Sequence, residues 1–175
     1  MVQGIAKFRV RLAVDAMMWW LLAAGLLLGA GVQAHDHAAG VVPEHERASA
    51  EASGFDGPRE TQGVEAIISL GSVSLRDEFE GIGDRVLRAR ELVLAPGAVV
   101  AVHRHDARPG VAYILEGELV EYRNDASQPL LRKAGAVAFE NTGVTHWWQN
   151  KSTKQARAIV VDIVPVEGCA DCQAK

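Results

Sequence analysis

Short runs in which apolar and polar residues alternate fill the chain from residue 64 onward. Val64 to Leu70, Val86 to Ala95, Val99 to His105, Val111 to Arg123, Leu130 to Lys133, Val137 to Phe139, Thr145 to Asn150 and Ala156 to Val166 each read as a strand, because residues two apart share a face and β-branched residues recur. In the run from Val86, one face carries Leu87, Ala89, Glu91 and Val93; the other carries Val86, Arg88, Arg90, Leu92 and Leu94. Gly81-Ile-Gly83 and Pro96-Gly97 predict tight turns, and Glu116-Gly117-Glu118 divides the longest run into an expected hairpin. No stretch beyond residue 34 carries a sustained helical period. Many short strands with turns between them predict an all-β domain, a sandwich or a barrel.

The ends are composed differently. Met17 to Ala30 is almost wholly apolar, Lys7, Arg9 and Arg11 precede it, and Val32-Gln33-Ala34 follows. This is the layout of a signal peptide, residues 1–34, with cleavage after Ala34 and a periplasmic or secreted product; an N-terminally membrane-anchored chain is the alternative, given the long charged start and Asp15. Removal leaves 15 Lys+Arg against 21 Asp+Glu, a net charge near −6. That balance and the lack of a basic stripe exclude nucleic acid as a partner. It also leaves no segment for stable membrane insertion. Residues 35–62 are rich in Ala, Gly, Glu, Ser and Pro and read as a disordered or linker segment, and residues 63–166 hold the one domain. The tail, 167–175, contains Cys169 and Cys172, for which a small disulfide is the plainest reading in an exported protein, beside a zinc half-site or redox pair.

Two sets of histidines bear chemistry. His103 and His105 are two apart on a strand and present two imidazoles side by side. His146 is the only other histidine beyond Asp106. Three neutral imidazoles on a rigid sheet suit one divalent transition metal, Fe, Mn, Ni, Cu or Zn. His146 shares its face with Trp148 and Asn150, so Trp148 is a pocket wall or ordinary core, while Trp147 points the other way. At a mature terminus beginning at His35, His35 and His37 would chelate Cu(II) or Ni(II) through amine, amide and imidazole nitrogens; the other reading is a solvated polar terminus.

The pattern Gly97-x5-His103-x-His105 with Gly117, then Gly135-x5-Asn141-x-Gly143-x2-His146-x3-Asn150, resembles the two motifs of the cupin superfamily. The resemblance implies a double-stranded β-helix, or jelly roll, and a metal held between the motifs. It also marks two departures. Asn141 stands where the second motif has proline, and Gly110 stands where the first has a Glu ligand. A vacant Glu position implies an open three-histidine site, or substitution by a nearby carboxylate such as Asp106 or Glu140, or a relic that kept the fold. By register, Gly110, Ala112 and Ile114 share the pocket face, and Arg108 is placed to contact a carboxylate or to lie solvated in its loop.

The resemblance leaves two functional classes. One is a mononuclear metal dioxygenase acting on a small enol, flavonol or thiol-like compound. The other is a non-catalytic module of the cell envelope that binds a metal or a small ligand. In either case the partner is a small molecule, anionic by the charge of the centre. A homodimer is the further expectation from the family.

Overall fold

In a computed structural model of the chain, residues 41–169 and Cys172 are described. The expected signal peptide, and His35 and His37 with it, lies outside them. The elements are helix α1 (Glu44–Ser53) and strands β1 (Gln62–Ser74), β2 (Arg85–Arg104), β3 (Gly110–Glu116), β4 (Glu118–Arg123), β5 (Leu130–Lys133), β6 (Val137–Glu140), β7 (Thr145–Gln149) and β8 (Ala156–Pro165). All pairings are antiparallel, in the order β5-β4-β7-β2-β8-β3-β6, with β1 also on β2. The result is the nearly closed jelly-roll barrel that the strand pattern and the motifs imply.

Strand β2 joins the two halves of this barrel. Its first part, Arg85 to Leu94, pairs with β8, and its last part, Val99 to Arg104, pairs with β7. The turn expected at Pro96-Gly97 is therefore a bend inside one 20-residue strand. Gly97 has φ +80° there and donates its N–H to the Asn150 carbonyl at 2.9 Å. The hairpin expected at Glu116-Gly117 does not form either. Strand β3 pairs with β6 and β8, whereas β4 pairs with β5 and β7. Gly117 passes the chain between these ladders at φ +75°, where a Cβ would lie 2.8 Å from the Gln155 carbonyl oxygen, so only glycine fits.

The inward faces follow the period of two. Ala112 and Ile114 are buried while Tyr113 and Leu115 face out, and Val86, Leu92 and Leu94 are buried on β2. Unexpectedly, Arg88 and Arg90 share that inner face and are buried as well.

Helix α1 is a second departure, because it lies in the segment read as a linker. Its sequence, EHERASAEAS, has no apolar stripe, and among its residues Glu46 and Ala50 are buried. Glu44 and Glu46 in the first turn suit the positive end of the helix dipole. Gly54, in the left-handed region at φ 71°, ends the helix with its N–H on the Glu51 carbonyl. Val41 and Val42, just before the helix, belong to the barrel core beside Leu92, Leu94 and Trp148. Among the described residues no helix is long and apolar enough to cross a membrane.

Asn150 ties β2 to the loop after β7. Its buried Nδ2 donates to the carbonyls of Leu94, Ala95 and Lys154 at 2.8–3.2 Å, and its Oδ1 accepts from the Ser152 N–H and hydroxyl. Truncation to Ala removes all five at a buried site. Urea denaturation of Asn150→Ala should show a loss of about 2 kcal/mol or more; a loss within ~0.5 kcal/mol would mean the stitch carries no stability.

Candidate metal centre

His103 and His146 are directly opposed across the β2–β7 ladder, so their side chains leave the same face. His105 stands one residue past β2, held in register by its N–H to the Val144 carbonyl at 2.8 Å and by the Gly143 N–H to its own carbonyl at 2.9 Å. The three rings converge with centroids 4.5–4.9 Å apart. His146 Nε2 lies 3.1 Å from both His103 Nε2 and His105 Nε2. All three side chains are buried.

The outer nitrogens fix the tautomers. His103 Nδ1 meets the Ala101 carbonyl at 2.8 Å, His105 Nδ1 meets the Arg108 carbonyl at 3.1 Å, and His146 Nδ1 meets Glu121 Oε1 at 2.8 Å. Each partner is an oxygen without a proton, so each Nδ1 must donate. In a neutral ring Nε2 is then a bare acceptor, and that of His146 faces those of His103 and His105 at hydrogen-bond distance. An added proton is opposed. Burial first, then the charges of His146, His105 and Arg108, holds His103 well below the usual imidazole range, and burial, Arg108 and His146 bring His105 down to about 2. A divalent cation satisfies the arrangement. Lone pairs converge from within, and the outer N–H groups are anchored in the way that metal-bound imidazoles require. The group of three offers ligand atoms all within 4.8 Å of one another.

Ala107 makes part of this possible. It is the one non-glycine at positive φ among the described residues, 59°, a conformation that costs roughly 1–2 kcal/mol. That turn brings the Arg108 carbonyl back onto His105 and sends the Arg108 side chain inward.

Around the rings lies a buried charged layer. Glu121, on β4 opposite β7, holds His146 and accepts from Arg123 and Arg132 at 2.8 and 2.9 Å. Burial pushes its carboxyl up, but the His146 contact and then Arg123 win, and it stays below the ordinary range. Arg108 is not a solvated loop residue. Its fork embraces Glu46 of α1, through Nε and through Nη2 at 2.7 Å, and its Nη1 reaches Asp162 at 2.7 Å. Asp162 also accepts from Arg88 at 3.0 and 2.8 Å and from Arg90 at 3.4 Å. The contact foreseen from Arg108 to a ligand carboxylate is thus taken by Glu46 here.

The remaining candidates separate. Asp106 is half exposed and held by Arg104 at 3.0 Å, turned away from the rings. Glu140 is buried, with its two oxygens 3.8 Å from His105 Nε2 and 3.7 Å from His146 Nε2. Burial pushes its carboxyl upward against the charges of His146 and Arg108. A cavity of about 40 Å³ opens beside His103, walled by Leu92, Val100, Ile114 and Trp148, which exceeds the roughly 15 Å³ one water needs. Arg108, Ala112 and Glu140 also line it, but Gly110 does not. Its missing side chain leaves no vacancy, since a Cβ there would sit 2.8 Å from the Val161 carbonyl oxygen. Trp148 is both wall and core, edge-on to His146 at 5.6 Å. Trp147 lies on the other face, stacked on Tyr122 at 3.7 Å. Cys169 and Cys172 are joined in a disulfide, and Cys169 packs on Val86 and Val164.

Residues 90–162 match the family model described as the cupin domain. The chain is 34% identical over 71 residues to an oxalate-binding protein of Thermotoga maritima, a match covering 41% of this chain and 57% of that protein. The chain thus spans less than two thirds of that relative's length. Among solved structures it is similar to a protein of Thermus thermophilus, at 29% identity and TM-score 0.43, covering 55% of this chain and 80% of that one. A predicted oxalate decarboxylase of Thermotoga maritima gives 24% identity and TM-score 0.41 over 56% of this chain and 93% of that one.

Asp162 is where acid should act. Burial raises its carboxyl, but the Arg88 hydrogen bond and the charges of Arg90, Arg88 and Arg108 hold it below the ordinary range. A depressed carboxylate stabilises fully above its unfolded value of about 3.9 and loses that effect as pH falls through its lower folded value. Asp162→Asn should cost about 3 kcal/mol or more at pH 7, and the gap to wild type in urea should narrow as pH drops below about 4. A gap as wide at pH 3 as at pH 7 would contradict the assignment.

Proposed function

We propose that this protein is a metal-binding cupin whose ligand is a small carboxylate anion of the oxalate type, held at a centre built by His103, His105 and His146. The observation that carries the reading is the convergence of three bare Nε2 atoms whose Nδ1 protons are all committed outward. A bound divalent ion supplies positive charge and Lewis acidity for a carboxylate oxygen. The chain's own residues do the rest. Arg108, with Nη2 3.5 Å from His105 Nε2, adds positive potential, and the apolar wall of Leu92, Val100, Ile114 and Trp148 keeps water from weakening it. The name of the oxalate-binding relative supports the choice of anion.

A second reading is a metal-dependent dioxygenase on a small enol, flavonol or thiol-like compound. The apolar lining of the cavity beside the rings favours it, since such walls suit an organic compound. Oxygen uptake by the metal-loaded protein on those compounds would distinguish it from simple binding.

The site of action in this account is the periplasm or cell exterior, after loss of residues 1–34. The charged start, the apolar run and Val32-Gln33-Ala34 support it, as does the disulfide Cys169–Cys172. Strand β1 exposes Ile68, Leu70 and Val73, which supports pairing into a homodimer; light scattering of the purified protein measures the mass. N-terminal sequencing of exported protein should read from His35. A chain still starting near Met1 would sink both the export assignment and amino-terminal copper binding.

The metal is tested on tag-free protein. Wild type should carry about one transition metal per chain, and His103→Ala, His105→Ala and His146→Ala should each lower occupancy roughly tenfold or more while remaining β-folded by circular dichroism. Calorimetry should then show oxalate binding to loaded wild type and none after chelation. Full occupancy in all three variants would overturn the ligand assignment, and equal oxalate binding after chelation would overturn the role of the metal.

A further inference from the structure

The seat left by Gly110 has a neighbour on each side. Gly110 is paired with Glu140 on β6 and with Asp162 on β8, so Glu140, Gly110 and Asp162 form one row across three strands. Residues directly opposed in antiparallel strands project from the same face, and both carboxylates are buried on the inner one. Asp162 fills the space against Gly110, where its Cβ would be 3.0 Å from an added Cβ, and it is occupied by Arg88, Arg90 and Arg108. Glu140 leans to the other side, toward the imidazoles.

We propose that Glu140 is the carboxylate ligand of the metal centre, delivered from β6 to the position that the first motif serves from β3. Donors on one ion about 2.1 Å away are roughly 3.0 Å apart at right angles and roughly 3.4 Å apart in a tetrahedron. The Nε2 pairs already meet this at 3.1 Å. The oxygens of Glu140 lie 3.7 and 3.8 Å from the Nε2 atoms of His146 and His105, so coordination requires the side chain to move in toward the trio. No other carboxylate among the described residues is so placed. Asp106 points outward to Arg104, Glu121 serves the outer nitrogen of His146, and Glu46 is held by Arg108. The row also accounts for the glycine. Strands β3 and β8 approach too closely at residue 110 for a side chain, and the ligand moves one strand over.

The assignment deepens the proposed metal function and rests on it. It makes the centre three imidazoles and one carboxylate, with one negative charge more than an open three-histidine site, and it confines an incoming anion to the positions facing the apolar cavity.

The test is titration of tag-free apoprotein with Co(II), read by calorimetry and by the visible spectrum. Glu140→Gln keeps size and removes the charge; Glu140→Asp keeps the charge and withdraws the oxygens by one methylene. Both should bind Co(II) at least tenfold more weakly than wild type, with a changed d–d spectrum for Glu140→Gln. Wild-type affinity and an unchanged spectrum in a folded Glu140→Gln would overturn the assignment and leave the three-histidine centre standing. If Glu140→Gln does not fold, wild-type affinity in Glu140→Asp overturns it alone. Absence of Co(II) binding in wild type overturns the metal function and this assignment with it, an outcome distinct from the other two.

Discussion

Three Nδ1–H donors spent on Ala101, Arg108 and Glu121 leave three acceptor nitrogens pointed into one another. Nothing within the trio can relieve that, because a neutral imidazole has only one proton to give. A divalent cation placed among them would satisfy all three. Burial and the nearby Arg108 work against a proton on His103 and His105, and a metal ion would meet the same need without charging the rings. The jelly roll brings the donors together from two strands and a loop, so the site depends on tertiary pairing and not on any local segment.

The charged layer behind the rings is what keeps them there. Arg88, Arg90 and Arg108 meet on Asp162, and Arg108 extends the chain of ion pairs to Glu46 on α1. Charges so deeply placed are tolerable only in mutual contact. They hold the His105–Arg108 loop in its left-handed turn at Ala107 and fasten helix α1 to the barrel. One consequence reaches function. The guanidinium that would meet an anion beside the metal already holds a carboxylate of its own chain, so any ligand contact with Arg108 competes with Glu46.

The fold and the convergence of the three histidines were legible because both rest on period two and spacing. The alternation from Val99 to His105 put two histidines on one face, and the second motif supplied His146. The hairpin at Glu116-Gly117 and the turn at Pro96-Gly97 misled, since a glycine at positive φ bends a strand or moves the chain between ladders as readily as it reverses it. Helix α1 escaped notice because what it buries is a charged Glu46 and one alanine, and no apolar period advertises that. Asp162 and Glu121 were also missed. Their signal was present as acidic residues at inward parity, Glu121 two after Leu119 and Asp162 two after Val160, yet only the pairing shows which arginines and which histidine neutralise them. For Glu140 the sequence offered a candidate carboxylate, and only the pairing shows that it stands opposite Gly110.

The most direct measurement is X-ray absorption on metal-loaded protein at the metal edge. Convergence of the three histidines on one ion predicts a first shell whose outer scattering requires three imidazoles per ion. A shell fitted by one or two imidazoles, or by oxygen alone, would contradict the convergence of His103, His105 and His146 on a single metal.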